Sequence, residues 1–485
     1  MIKRSSNNNT PPKRYLHTGG LHLSGVAGDS FIETRSTKRF CIQKRFVSIF
    51  LSIVLICTLG TSAAFADVLD SDVVCGETVA ERGLETAECP DISATSAFVI
   101  SQDGSVYFER DADASVKIAS LTKIMTAIVA LENASLDSTV EISAEAATVG
   151  ESTAGLLEGD SMSLEEALYA LLVPSGNDAA IAIAETVGAS LASDGQDAQD
   201  AFVEAMNDKA EEIGCTNTLF TNPHGLDSGS FESDAHSTAR DVGLMVAYAM
   251  KNETFRSIVS GGSTTITVTS ADGSSRTIDL TSTDELIDSY EGMCGVKTGT
   301  TNAAGYCFAG ACVRDEGELY TVVLGAPTSE DRFADTRTLL DWVYDNLEEV
   351  SLISTSSTVE YLGEDYPLVA EVAQTDWPAS TVSATVADPD FSALIFSLED
   401  SVQQDVSFET LEGDISAGDV VGHITFTQEG KTVAECDLIA AQDASAPNFF
   451  QSIGVWWARL FCNIQGKSTV ADSVCYNQIT VLSDR

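Results

Sequence analysis

The sequence predicts an α/β or α+β domain followed by a small all-β domain, and three observations lead there. Between residues 94 and 350, short apolar runs bounded by turn residues flank a block with helical spacing, so one sheet should contain both ends of the domain. From Ser351 to Ala446 the pattern changes to short alternating runs, such as Val420-Val421-Gly422-His423-Ile424-Thr425-Phe426, which read as strands. The length of 485 residues leaves room for several cores at roughly 150 residues each.

Taken in order, residues 1–66 hold nine basic and two acidic residues and end in an apolar run, Phe46 to Leu59, followed by Ala64-Phe65-Ala66. That is the layout of a signal peptide cleaved after Ala66. The run of 14 residues is short for a membrane span, which takes about 20, although an uncleaved signal anchor remains the alternative. Residues 67–93 are acidic and read as a linker or N-terminal extension. A hairpin follows, Ala97 to Ser101 and Val106 to Phe108 around Asp103-Gly104. Apolar residues from Leu121 to Leu131 mark a largely buried helix over Ser120 to Asn133. Ser163-Leu164-Glu165-Glu166 is a capping box for a second helix that Pro174 stops. A third carries Ala179 to Val187. Beyond it come a helix over Ala201 to Ile213, a hairpin at Asp272-Gly273, strands at Gly305 to Val313 and Leu319 to Gly325, and a closing helix from Arg332 to Leu347.

The charge limits the partners. With 26 Lys+Arg against 73 Asp+Glu the chain carries −47, and loss of the leader's net +7 deepens this to −54. Nucleic acid is excluded as a general partner, because phosphate neutralisation needs clustered cations. No cofactor is implied. There is no Cys-x-x-Cys and no His-Glu-x-x-His, so a metal has no support. Nine cysteines lie beyond Ala66, and export would allow Cys75 with Cys89, or Cys462 with Cys475, to close short loops.

Three motifs carry chemistry. Ser120-Leu121-Thr122-Lys123 puts a hydroxyl and an amine on one face of a helix start. A lysine among apolar neighbours loses proton affinity and becomes a base for the serine, while free backbone N–H groups favour a developing oxyanion. Ser175-Gly176-Asn177 falls in the break between two helices, where a loop presents a hydroxyl and an amide to a cleft. Lys297-Thr298-Gly299-Thr300 precedes a strand and should lie on a sheet edge, offering backbone pairing to an extended peptide and a fixed positive charge. Only seven lysines follow Ala66, and two fall in these motifs.

With Ser-x-x-Lys, Ser-x-Asn and Lys-Thr-Gly in that order, the chain resembles the penicillin-recognising serine acyl transferases. More closely, it resembles the D-alanyl-D-alanine carboxypeptidases among the low-molecular-mass penicillin-binding proteins. The stretches Ala119 to Thr126, Ser175 to Ala179, Thr221 to Asp227, Ser237 to Asp241 and Gly295 to Gly299 match that family's local contexts, and Ile415 to Asp419 resembles its C-terminal domain more loosely. The resemblance implies a penicillin-binding-protein/β-lactamase-like transpeptidase domain over 94–350, a β-rich domain over 351–446, and an amphipathic helix with a polar tail over 447–485. It implies that Ser120 attacks the penultimate D-Ala carbonyl, that Lys123 takes its proton and that Ser175 relays protons. Asn177 would orient the substrate amide, Lys297 would hold the electrostatics, and Thr298, Thr300 and Arg332 would receive the terminal carboxylate. The backbone N–H groups of Ser120 and Thr300 would form the oxyanion hole. The implied partners are peptidoglycan stem peptides, with β-lactams as covalent inhibitors, on the outer face of the cytoplasmic membrane or in the wall. Many relatives have His or Tyr where this chain has Thr300, which bears on deacylation and β-lactam affinity. A D,D-endopeptidase acting on cross-links and a non-catalytic wall-binding or penicillin-sensing protein are the alternatives.

Two features lie outside these motifs. His224 with Asp227 reads as a structural turn, not a catalytic pair. Phe449 to Phe461 place aromatics at helical spacing, and two readings stand: peripheral contact with a membrane interface, as similar proteins have at this point, or packing on the β domain or a second copy.

Overall fold

A computed structural model describes residues 68–479; the expected signal peptide, 1–66, lies outside the described residues. The first sheet is assembled from two distant stretches. Its early strands are β1 (Val73–Val74), β2 (Glu77–Thr78), β3 (Ser96–Ser101) and β4 (Val106–Arg110). Strands β5 (Thr139–Glu141), β6 (Ser161–Ser163), β7 (Thr264–Thr269) and β8 (Ser275–Leu280) form a separate four-stranded sheet. Then β9 (Met293–Thr301), β10 (Gly305–Arg314) and β11 (Gly317–Ala326) complete the first sheet in the order β2-β1-β4-β3-β11-β10-β9, antiparallel throughout. Both ends of the domain therefore meet in one sheet, at the pairing of β3 with β11.

Period-two alternation sends successive residues to opposite faces, and both faces are covered. From β3, Phe98 and Ile100 enter one core while Ala97 and Val99 enter another. After the short α1 (Val79–Arg82), the first core holds α2 (Thr122–Asn133), α3 (Ala144–Thr148), α4 (Leu164–Leu172), α5 (Asn177–Leu191), α6 (Ala198–Ile213), α7 (Ala239–Ala249) and α8 (Glu253–Ser260). The second face is covered by α9 (Ser329–Asp345) through Phe333, Leu339, Leu340 and Val343. Every residue of α2 from Thr122 to Ala130 is buried, the polar Thr122, Lys123 and Thr126 included. The Ser163–Glu166 capping box forms as read, and α4 ends before Pro174.

Several boundaries differ from expectation. Capping by Asp197 and Thr328 starts α6 and α9 three residues early, and Leu347 belongs to the next strand. Ser120 lies in a 3-10 turn, Ala119–Leu121, that leads into α2. Residues 68–93 are not a free linker. They add β1 and β2 to the sheet edge and bury Val74, Val79 and Ile92. Arg110 donates to both Asp72 oxygens at 2.9 and 2.6 Å in a buried ion pair, and Trp342 Nε1 donates to Glu88 O at 2.7 Å. All nine described cysteines are unpaired, so neither expected short-loop disulfide forms.

The remaining strands are β12 (Leu347–Ser351), β13 (Thr358–Tyr361), β14 (Glu364–Pro367), β15 (Ala370–Ala373), β16 (Thr381–Val386), β17 (Ser392–Phe396), β18 (Gln403–Phe408), β19 (Val420–Gln428) and β20 (Lys431–Ala440), with β21 (Val474–Cys475) after α10 (Phe449–Gln465). Six of them form the sheet β18-β19-β20-β16-β15-β21 over a core of its own. Phe396 stacks on Tyr107 and Trp342, joining the two parts of the chain.

The aromatic tail forms α10, capped by Asn448. Only Val455 is buried, whereas Phe449, Phe450, Ile453, Trp456, Trp457, Phe461 and Ile464 are exposed, so its apolar face does not pack on the β domain. No described helix is long and apolar enough to cross a membrane. The polar stretch after α10 returns to the sheet as β21. Asn477 there is buried, donating to Leu352 O and Gln404 Oε1 and accepting from Ser354 N–H, all within 2.9 Å.

Candidate active site

Three chain segments converge at the start of α2. Strand β9 approaches the turn before Ser120 so closely that a Cβ at Gly299 would lie 2.8 Å from Ile118 O. From the other side, a Cβ at Gly225, whose φ is +85°, would lie 1.9 Å from Ala119 O. Only glycine fits either position. Between them Ala119 adopts φ 49°, and Ser175 in the α4–α5 break adopts φ 65°. Such left-handed conformations in non-glycine residues cost energy and gather at functional sites.

Lys123 is the hub. Its Nζ is fully buried and lies 2.8 Å from Ser120 Oγ, 2.7 Å from Asn177 Oδ1 and 2.9 Å from His224 O. Burial pushes its pKa well below the ordinary lysine value, Lys297 adds to this, and Asp178 opposes it. A neutral amine has two N–H donors, and the Asn177 and His224 oxygens account for both. Its lone pair is then left for the Ser120 hydroxyl, which is only half-buried and open to a substrate. Asn177 is fixed in turn by donating from Nδ2 to Gly150 O at 3.0 Å.

The opposite wall is β9. Lys297 is buried and donates to Thr298 O at 2.8 Å; burial and then Arg332 lower its pKa to about 7, against a pull upward from Asp284. Arg332 reaches back from α9 to Thr300 Oγ1 at 3.1 Å and donates to Ser329 Oγ at 3.1 Å. Its Nε is shielded from solvent without a partner, and Arg332 forms no ion pair among the described residues. A buried guanidinium with a spare donor and no carboxylate is suited to an incoming one.

Ser120, Lys123 and Asn177 are thus joined by hydrogen bonds, as are Thr300 and Arg332, with Lys297 and Thr298 on the same strand as Thr300. Ser175 is buried beside Asn177, but among the described residues no hydrogen bond joins it to Ser120 or Lys123. The His224 ring is not poised as a base. Burial drives its pKa to about 3, its Nδ1 accepts from Leu226 N–H, and Asp227 instead accepts from Thr301 Oγ1 at 2.6 Å. Among the described residues no His, Cys, Asp and Glu cluster is placed to hold a metal ion.

Sequence reasoning missed Asp178, which accepts from Thr153 Oγ1 and the backbone N–H groups of Ala154, Leu156 and Ala179 and so fixes the Asn177 turn. Its position directly after Asn177 was the available signal. It also missed Thr283, whose hydroxyl lies 2.7 Å from Thr298 Oγ1, and no local pattern marks that residue.

A hydroxyl facing a buried amine of lowered basicity, beside an unpaired arginine, is the constellation of a serine hydrolase for a carboxylate-ended substrate. Comparison with known proteins agrees. The family model for D-alanyl-D-alanine carboxypeptidase matches residues 84–328, and the chain belongs to that family. Its activity is that of a serine-type D-alanyl-D-alanine carboxypeptidase. The chain is 28% identical over 431 residues to D-alanyl-D-alanine carboxypeptidase DacF of Bacillus subtilis, covering 85% of this chain and 99% of that one. It is 35% identical over 260 residues to DacB2 of Mycobacterium tuberculosis, 52% of this chain and 83% of that one. Among solved structures, a cysteine-to-asparagine mutant of a Streptomyces DD-transpeptidase matches with TM-score 0.50 and 32% identity over 53% of this chain and 100% of its own. The carboxypeptidase DacD of Francisella tularensis shares the fold, with TM-score 0.52 and 24% identity over 75% of this chain and 96% of its own.

Proposed function

We propose that Ser120 is the nucleophile that releases the terminal D-Ala of peptidoglycan pentapeptides. Its Oγ bonds to the penultimate D-Ala carbonyl carbon as Lys123 Nζ takes the proton. The tetrahedral oxyanion then collapses, the C–N bond breaks, and the proton held by Lys123 passes through the Ser175 hydroxyl to the departing D-Ala amine, leaving both side chains as they began. Water releases the acyl group by the same route in reverse, restoring the Ser120 hydroxyl. Asn177 orients the substrate amide, while Lys297, Thr298, Thr300 and Arg332 hold the terminal carboxylate. One observation carries this reading: Ser120 Oγ lies 2.8 Å from the buried Lys123 Nζ, which is also held at 2.7 Å from Asn177 Oδ1 and 2.9 Å from His224 O. The test is D-Ala release from a synthetic pentapeptide together with covalent labelling by fluorescent penicillin. Both disappear in Ser120→Ala; a labelled Ser120→Ala protein excludes Ser120 as nucleophile.

The reading extends to location. The enzyme works outside the cytoplasmic membrane after export by the leader, with α10 lying in the membrane interface. What supports this is the exposed row of three Phe and two Trp, Phe449, Phe450, Trp456, Trp457 and Phe461. Flotation with neutral vesicles tests it: Trp456→Ser with Trp457→Ser should leave the protein at the bottom of the gradient, and equal flotation of both forms refutes it.

A further inference from the structure

Beside the site lies a buried carboxylate that the mechanism does not use. Thr283 and Asp284 belong to the connection between β8 and β9. Thr283 N–H donates to Val173 O at 3.2 Å, just before the Ser175 loop, and its hydroxyl meets Thr298. The connection therefore bridges the two walls of the site. Asp284 Oδ1 accepts from Leu286 N–H at 2.8 Å, whereas Oδ2 is shielded from solvent and has no hydrogen-bond donor. A carboxylate oxygen in that state is costly unless charge nearby compensates it. The cations within electrostatic range are Lys297 on β9 and Arg332 on α9, both buried and both outside any ion pair among the described residues.

We propose that Asp284 is a positioning residue that acts through Lys297 and Arg332, as the countercharge that lets both buried cations face the substrate's terminal carboxylate together. The inference rests on the reading of Lys297 and Arg332 as the carboxylate site. Without a countercharge, Lys297 and Arg332 would repel in one dry site: after burial itself, Arg332 is what lowers Lys297. Asp178, at the Lys123 end, spends its oxygens on four donors. At the other end Asp284 keeps an oxygen free. Burial raises its pKa to about 6, opposed first by the backbone N–H groups of Leu286 and Ile287 and then by Arg332 and Lys297, so it is mostly ionised at neutral pH. Arg332 also feels Cys307 on β10 and Glu285 on the same connection, both ahead of Asp284, and then Tyr306 on β10, whereas Asp284 is the acidic group that bears on Lys297.

The test compares two pentapeptides, one with a free terminal carboxylate and one methyl-esterified there, in the full mature chain. In Asp284→Asn, Lys297 loses its proton at lower pH. The KM for the free acid at pH 7 should rise on the order of tenfold, about one pH unit of displacement in its alkaline limb, with kcat and the ester much less affected. Asp284→Ser, whose hydroxyl still accepts from Leu286 N–H, replaces the Asn variant if that one does not fold. Thr283→Val, which removes the hydroxyl contact to Thr298 but no charge, should leave the alkaline limb in place. A free-acid preference and alkaline limb unchanged in D284N, or an equal loss for acid and ester, overturns the proposal alone. No preference for the free acid in the wild type overturns the carboxylate-site reading and this proposal with it. Penicillin labelling of Ser120 is separate and should persist in D284N.

Discussion

Replacing Lys297 by methionine should stabilise the protein while disabling it. Lys297 is fully buried and titrates at about 7 in place of the ordinary 10.5. Each tenfold change in proton affinity is worth about 1.4 kcal/mol, so keeping this amine in the fold costs on the order of 4 kcal/mol at pH 7. Methionine has similar length and no charge. Setting about 1 kcal/mol against it for the lost hydrogen bond to Thr298 O, the variant should be roughly 3 kcal/mol more stable at pH 7. The sign has a pH signature. Between the folded value near 7 and the unfolded value of 10.5, the unfolded chain binds more protons, so wild-type stability rises with pH and the cost fades. The gap between variant and wild type should shrink by about 2 kcal/mol from pH 7 to pH 9. Urea unfolding of both proteins at the two pH values measures it, and kcat/KM on the pentapeptide should fall at least about 100-fold with the lost charge. A variant less stable than wild type at pH 7, or a gap that does not move with pH, refutes the argument that burial depresses Lys297.

Two further substitutions probe other parts of the molecule. Arg332→Lys keeps the charge but loses the fork that reaches Thr300 and Ser329; one charge-assisted hydrogen bond is worth about 1.5–3 kcal/mol, so KM should rise on the order of 10- to 100-fold in steady-state assays with kcat nearly kept. Asn477→Ala removes three side-chain hydrogen bonds from a buried position and should destabilise the β domain by about 2–4 kcal/mol, read by urea unfolding; an unchanged midpoint would mean that β21 does not hold the sheet together.

The site was legible in the sequence where chemistry and local pattern coincide. Ser120 with Lys123 shows helical spacing, Ser163 with Glu166 spells a cap, and Pro174 marks the break that carries Ser175 and Asn177. What stayed hidden depends on contacts across the chain. Residues 68–93 look like an acidic linker because their apolar residues are few, yet Asp72 waits for Arg110 and Glu88 O for Trp342, partners that no window of sequence contains. The tail after α10 looks merely polar for the same reason. Asn477 is buried because Leu352, Ser354 and Gln404 satisfy it, and those lie more than 70 residues away. Gly225 and Gly299 read as ordinary turn and motif glycines, whereas their demand comes from the Ile118–Ala119 backbone pressed against both.

The chain's acidity sharpens the problem the site has to solve. A protein of net charge −47 repels a peptide ending in carboxylate at long range, and ions screen that repulsion beyond about 8 Å at physiological salt. Within the site the balance is reversed: Lys123, Lys297 and Arg332 are all buried, where their fields are screened far less. The same burial that gives these cations reach also weakens their hold on protons, taking Lys123 well below the ordinary lysine value and Lys297 to about 7. In the proposed mechanism that loss is useful for Lys123, since a base must be neutral to accept the Ser120 proton. For Lys297 it is a liability, since a neutral amine attracts no carboxylate. The two lysines therefore need opposite protonation states at one pH, and Asp284 stands near Lys297, the lysine that has to keep its charge.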